Sequence, residues 1–132
     1  MKIFHIILRI VLSLLILSPI LGVLGVFPAP TADLYNTPEA FAFIKVLYAG
    51  GYVMYLMAIV FAISIALIAT NRMALASLLI LPITLNIIGF HLFLDGGLLT
   101  GGAIMADVLL LINAYFLWIN RAQYKVLLNK SA

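Results

Sequence analysis

The side chains best suited to chemistry lie where a long apolar segment ends. His91 and Asp95 are four residues apart at the end of the uncharged run 73–94, and Asp107 follows after one short loop. If this run and the next apolar segment are antiparallel helices, the three side chains converge, because residues at i and i+4 share a helix face. Such a cluster can hold a proton or bind the headgroup of a quinone-like ligand. It can equally be a structural clasp that ties the loop between the two helices.

Three further polar side chains fall inside apolar segments. Asn86 and Asn113 lie near the middle of two such segments, and amides at that depth hydrogen-bond across helices, contributing about 0.6–2 kcal/mol. Arg9 lies about 9 Å along the first segment by helical rise, from where a long side chain reaches the headgroup layer. The alternative is that its guanidinium binds a lipid phosphate or a partner subunit.

The composition indicates whether these polar side chains lie in water or in lipid. The chain has 132 residues, of which 67% are hydrophobic and 8% are charged. A soluble domain of this size cannot bury so much apolar surface, so we predict an integral membrane protein of one domain. Cysteine is absent, which leaves no disulfide framework and no thiolate metal site.

Four segments are long and apolar enough to cross a bilayer. The predicted spans are residues 3–27, 52–70, 73–94 and 103–120. Thr37-Pro38-Glu39 has the pattern of a helix start, with an N-cap, a proline at the first position and an acid in the first turn. It predicts an interfacial helix over 38–49, separated from the next span by Gly50-Gly51. The prediction is therefore an all-α four-helix membrane bundle, with one short interfacial helix between helices one and two and a cytoplasmic tail over 121–132.

The first segment also resembles a secretory signal, with Lys2 before an apolar run and small residues after it. That run has about 25 residues, whereas a signal peptide has an apolar region of roughly 7–15. We therefore expect a retained first membrane helix, ended by Pro28 and Pro30.

Charge asymmetry predicts the orientation. Six basic residues fall toward the side of the N-terminus, namely Lys2, Arg9, Arg72, Arg121, Lys125 and Lys130. Only Lys45 and the four acidic residues fall on the other side. By the positive-inside rule, both termini are cytoplasmic. This placement explains the net charge of +3 without nucleic acid and favours contact with anionic lipid headgroups.

No cofactor motif accompanies these features. His5 and His91 are the only histidines and fall about 24 Å apart along the membrane normal, so they cannot ligate one haem within a single subunit. The sequence has no HExxH metal motif, phosphate-binding loop or nucleophile elbow. We assign no catalytic residue and no metal site, and the only cofactor considered is a quinone.

Two stretches carry a resemblance to a known family. Residues 81–95 (LPITLNIIGFHLFLD) and 113–128 (NAYFLWINRAQYKVLL) resemble the DoxX and DoxX-like small four-helix membrane proteins of bacteria. The resemblance implies a bundle in the bacterial cytoplasmic membrane and a link to quinone or redox complexes. One departure is Phe61, which stands where relatives often carry a glutamate; its apolar ring favours packing over catalysis.

Three functions follow from these observations. The first is a non-catalytic accessory or scaffold subunit of a larger membrane assembly or a homo-oligomer, suggested by helices that are apolar on all sides. The alternative is a quinone-binding subunit of a membrane oxidoreductase that uses His91, Asp95 and Asp107. A small-solute transporter or channel ranks behind both, because the sequence lacks inverted repeats and several midplane charges.

Overall fold

The fold is an all-α bundle. A computed structural model describes residues 1–130, and this part of the chain contains six α-helices and no β-strand. They are α1 (Lys2–Val23), α2 (Pro38–Gly50), α3 (Tyr52–Ala69), α4 (Met73–Phe93), α5 (Ile104–Ile119) and α6 (Arg121–Tyr124). Helices α1, α3 and α4 and the segment Gly101–Ile119 are each long and apolar enough to cross a membrane. The predicted fold class is confirmed.

The outer surface of the bundle is apolar. Large hydrophobic side chains are exposed along the spanning helices; Leu14 and Leu111, for example, are 60% and 69% exposed. In water such a surface would drive aggregation, whereas lipid chains solvate it. The exposed apolar surface is therefore that of a multi-pass membrane protein.

The four long helices pack in a ring. Helix α3 packs on α1 and on α4, α4 packs on α5, and a smaller contact between α5 and α1 closes the ring. The core inside it is built from Leu12, Ile16, Phe61, Ile68, Met73, Ala76, Ile80, Leu109, Ile112 and Phe116. Phe61 is fully buried there, and its ring packs within this core.

Buried hydroxyl side chains lie between the helices but form hydrogen bonds only within their own helix. Ser64, Ser77 and Thr84 are fully buried, and each donates to the carbonyl four residues earlier in its own helix. Small side chains with satisfied hydroxyls let membrane helices approach closely. These residues hold the bundle together by packing and not by hydrogen bonds between helices.

Helix α1 ends four residues earlier than its hydrophobic run predicts. Its last residue is Val23, and Gly25 follows with a left-handed φ of 78°. The amide of Gly25 donates to the carbonyl of Gly22, and the amide of Val26 donates to that of Leu21. This is a Schellman motif, in which a glycine at positive φ closes a helix. Glycine therefore ends the helix before the prolines at 28 and 30.

The turn between α3 and α4 uses the same motif with asparagine. Asn71 has a φ of 60° and is the only described non-glycine residue at positive φ. The amide of Arg72 donates to the carbonyl of Leu67, and the amide of Asn71 donates to that of Ile68. Asparagine tolerates this conformation better than most residues, so two adjacent helices reverse direction within a few residues.

The interfacial helix begins and ends as its sequence predicts. The hydroxyl of Thr37 accepts a hydrogen bond from the amide of Ala40 at 3.1 Å, with Pro38 at the first helical position. At the other end Gly51 has a φ of 73°. This conformation separates α2 from α3, and a side chain there would be strained.

We expect the two adjacent glycines to respond oppositely to alanine. Gly51→Ala places a β-carbon at positive φ and should lower the free energy of unfolding by about 1–2 kcal/mol. Gly50→Ala lies in helical backbone with no atom within 4 Å of the added carbon, and should stabilise by about 0.5–1 kcal/mol. Thermal unfolding in detergent compares the two; equal effects would contradict a specific requirement at position 51.

The C-terminal segment folds back onto α4. Helix α6 is followed by a short 3₁₀ turn over Lys125–Leu128, and the hydroxyl of Tyr124 donates to the carbonyl of Ala74 at 3.0 Å. Burial raises the pKa of Tyr124, so the hydroxyl keeps the proton that it donates. The predicted tail over 121–132 thus has structure up to residue 128, and its last two residues lie outside the described part.

Candidate functional site

His91 and Asp95 form a hydrogen-bonded pair where α4 ends. The distance from His91 Nδ1 to Asp95 Oδ2 is 3.1 Å, and the two side chains are 13% and 2% exposed. When Asp95 is ionised its carboxylate only accepts hydrogen bonds, and Nδ1 of His91 then carries the proton in this pair. In the neutral imidazole Nε2 is then an acceptor, and protonation converts it to a donor. The Asp95 carboxylate thereby makes Nε2 the hydrogen-bond acceptor of the neutral imidazole.

The same aspartate ties down the segment that precedes α2. The backbone amide of Asn36 donates to Asp95 Oδ1 at 2.8 Å, and the side-chain amide of Asn36 donates to the Asp95 carbonyl at 3.1 Å. The Thr37 hydroxyl donates to the carbonyl of Leu94. Asp95 is therefore a clasp between α4 and the segment leading into α2, in place of the clasp within the α4–α5 loop that its position in the sequence predicted.

Asn36 was not among the sequence-predicted site residues. It lies in a polar, turn-rich connection, 59 positions before its partner. The available signal was local, because asparagine directly before an N-cap threonine often bonds neighbouring backbone. Nothing in the sequence linked it to Asp95.

Asp107 does not join the pair by a hydrogen bond. Its side chain is half-buried on the first turn of α5, and no hydrogen bond or ion pair from it is found within residues 1–130. The backbone of Gly102 lies against the pair instead. A β-carbon added at Gly102 would be 3.7 Å from Asp95 Oδ2 and 3.9 Å from His91 Cε1. The start of the α5 segment thus covers the pair.

A groove of about 510 Å³ opens beside His91, between α2, α3 and α4. We call it the His91 groove. Its lining is largely apolar and comprises Tyr35, Phe43, Ile44, Leu47, Val53, Met54, Leu56, Met57, Val60, Pro82, Ile83, Asn86, Ile87, Phe90 and His91. Its volume lies within the range of about 300–1,000 Å³ that is typical of small-molecule sites. The groove therefore combines a largely apolar lining with two polar side chains of α4, the amide of Asn86 and the imidazole of His91.

Aromatic rings surround the mouth of the His91 groove. The ring centroid of Phe90 lies 5.9 Å from that of Phe43 and 6.1 Å from that of Tyr35. Phe90 also packs edge-on against His91 at 5.1 Å. Burial raises the pKa of Tyr35, with smaller contributions from Tyr48 and Asp95. Its hydroxyl therefore stays protonated and can donate.

The two mid-membrane asparagines do not pair. Asn86 is exposed and lines the His91 groove. Asn113 is fully buried, and both its Nδ2 and its Oδ1 lack a hydrogen-bond partner within the described chain. The predicted hydrogen bond across α4 and α5 is absent because the two amides lie in different environments. Asn86 belongs to the candidate site, and Asn113 belongs to the core.

Arg9 and His5 lie at the opposite end of the bundle, which we call the Arg9 end. Arg9 Nη1 donates to Asn71 Oδ1 at the α3–α4 turn, and His5 Nε2 lies 2.7 Å from the hydroxyl of Tyr115 on α5. The two histidines thus have separate partners at the two ends. Within residues 1–130, no three His, Asp or Glu side chains are placed to hold a metal ion.

Comparison of the chain with models of protein families, with curated proteins and with solved structures gives no match. The resemblance to DoxX-like proteins therefore stays a prediction.

Proposed function

We propose that this protein is a membrane subunit that binds a quinone in the His91 groove, in the bacterial cytoplasmic membrane with both termini cytoplasmic. The Arg9 end, which carries most of the basic residues, then faces the cytoplasm. The observation that carries the proposal is a carboxylate-supported imidazole on the wall of an apolar groove. The DoxX-like resemblance and its implied link to quinone chemistry point the same way.

The shape and lining of the groove suit an amphipathic ring with an apolar tail. Apolar and aromatic side chains of three helices supply most of its surface, while the Asn86 amide and the His91 imidazole supply polar contacts. Binding sites of this kind use apolar area for affinity and a few polar groups for orientation. A quinone presents two carbonyl oxygens at opposite edges of a flat ring, and these are acceptors for such groups.

The His91–Asp95 pair supplies the proton chemistry that a quinone site needs. With Nδ1–H bonded to the carboxylate, neutral Nε2 accepts a hydrogen bond from a quinol hydroxyl and can take its proton. The resulting imidazolium is stabilised by the adjacent carboxylate and can donate to a quinone carbonyl. The pair thus fits both the oxidised and the reduced ligand.

The proposal unites two of the three functions that the sequence suggested, the accessory subunit and the quinone-binding subunit. His91 can transfer a proton, and Asn86 and Asp95 can form hydrogen bonds, whereas reduction of a quinone to a quinol also requires two electrons. Those electrons would come from a partner protein, which gives this chain the role of an accessory subunit that binds the quinone. Purification in mild detergent should then recover a stoichiometric membrane partner, and a lone monodisperse monomer would contradict this assignment.

Binding of a short-chain quinone tests the site directly. The full-length protein is purified in mild detergent, and the Kd is measured by calorimetry. His91→Ala removes the polar contact at the groove and should weaken binding about tenfold, the effect of roughly one good hydrogen bond.

His5→Ala is the matched control, because it removes the other histidine at the Arg9 end and should leave the quinone Kd unchanged. Unaltered binding in the His91→Ala variant would overturn the proposal. An equal loss in both variants would indicate a general effect on the fold and would also count against it.

A further inference from the structure

A second groove, of about 400 Å³, lies at the Arg9 end between α1 and α3. We call it the Arg9 groove. Arg9, Ser13 and Asn71 are its polar lining residues, and apolar lining residues include Ile10, Leu14 and Ile65. It is separate from the His91 groove and shares no residue with it.

The guanidinium in this groove has no negative partner in the described chain. Arg9 donates to the neutral side-chain oxygen of Asn71, while its Nε is enclosed and has no hydrogen-bond partner. The only side-chain contact between a basic and an acidic residue within residues 1–130 is that of His91 with Asp95. The remaining acids lie on segments at the His91 end: Asp33 between α1 and α2, Glu39 on α2 and Asp107 at the start of α5. A cation with one enclosed, unpaired nitrogen in a largely apolar groove favours a counter-charge from outside the chain.

The position of the groove in the bundle identifies the class of that counter-charge. Its polar end is at the α3–α4 turn, where Asn71 marks the boundary of the spanning helices. Its apolar side continues along the outer face of α1 from Ile10 to Leu14, away from that turn. A phospholipid has the same arrangement, because its phosphate can lie at the turn while its acyl chain lies along the apolar side of α1.

We propose that the Arg9 groove is a binding site for an anionic phospholipid. The phosphate oxygens accept from the Arg9 guanidinium, whose planar donors fit a phosphate in a bidentate manner, and one acyl chain lies between α1 and α3. Asn71 is a positioning residue, since its side-chain oxygen holds the guanidinium at the level of the turn. The exposed Arg72 next to it adds positive charge that attracts anionic lipid.

Lipid affinities from native mass spectrometry of the full-length protein test this site. Phosphatidylglycerol should bind at least about fivefold more tightly than phosphatidylcholine, and Arg9→Gln should remove that preference. Arg72→Gln is the matched control, because it removes the same charge at the same end of the bundle but outside the groove. The preference of this variant for phosphatidylglycerol should change less than about twofold. An unchanged preference in Arg9→Gln, or an equal loss in Arg72→Gln, would overturn the proposal.

Asn71→Asp provides a second variant that does not remove the guanidinium. Aspartate tolerates positive φ and gives Arg9 a carboxylate partner inside the protein, so it should abolish the preference for phosphatidylglycerol even if Arg9→Gln fails to fold. A preference retained in Asn71→Asp would contradict the assignment. Competition by soluble glycerol phosphate as strong as that by the lipid would show a free-anion site and would overturn the lipid assignment. Quinone binding at the His91 groove should be unaffected in every variant.

Discussion

Asp95→Ala should lower the free energy of unfolding by about 3 kcal/mol. The carboxylate is almost fully buried and accepts from the Asn36 amide and from His91. Hydrogen bonds to a charged group contribute about 1.5–3 kcal/mol each. Alanine would leave the Asn36 amide without its acceptor and release the segment that leads into α2.

Thermal and denaturant unfolding of the purified protein measure this effect. Asp107→Ala is the matched control, because it removes a half-buried carboxylate near the same end without breaking a hydrogen bond. We expect that control to change the free energy of unfolding by less than about 0.5 kcal/mol. Equal destabilisation by the two variants would mean that Asp107 belongs to the polar cluster after all.

The clasp also connects stability to ligand binding. Asp95 fixes the tautomer of His91, and the segment it holds carries Tyr35 at the mouth of the His91 groove. Loss of the carboxylate therefore removes both the orientation of the imidazole and one wall of the groove. For this reason His91→Ala is the cleaner test of quinone binding, and Asp95→Ala is the cleaner test of the fold.

Asn113→Leu should raise the free energy of unfolding by about 1–2 kcal/mol. The amide is fully buried, and neither its nitrogen nor its oxygen has a partner in the described chain. An unsatisfied buried polar group costs about 1–3 kcal/mol. Leucine has the same branched shape and can pack against Leu109, Ile112 and Phe116, which belong to the same helix and are also buried.

The comparison for this prediction is Asn86→Leu at the groove surface, which should leave stability within about 0.5 kcal/mol of the wild type. Reversible unfolding in detergent at a common temperature gives both values. Destabilisation by Asn113→Leu would show that the amide has a bonding partner, such as an ordered water, and that the core depends on it.

Local rules in the sequence were sufficient for the helices and for several of their ends. An apolar run long enough to span lipid forms a helix, because every backbone group must be satisfied within the segment. Thr37-Pro38 began α2 and Gly51 ended it as predicted, since capping depends on a few adjacent residues. The end of α1 was missed by four residues, because a glycine at positive φ acted before the prolines did.

The same local rules could not predict which hydrogen-bond partners the polar side chains have on other helices. The spacing of His91 and Asp95 predicted their contact correctly, because i and i+4 are neighbours on any helix. Contacts between elements depend on how far each helix is rotated about its axis. A small rotation decides whether a side chain faces the core, a groove or another helix. That rotation left Asn86 on the groove and Asn113 in the core, although both were expected at similar depth.

The sequence alone therefore determined that this chain is a bundle of long apolar helices, with the polar pair of His91 and Asp95 where α4 ends. It did so because hydrophobic length and helix capping are local properties. Only the tertiary structure decided that Asp95 binds Asn36 and not Asp107, that Arg9 meets Asn71, and that two grooves flank the bundle. Those outcomes depend on side chains brought together from distant segments, and packing alone sets their relative positions.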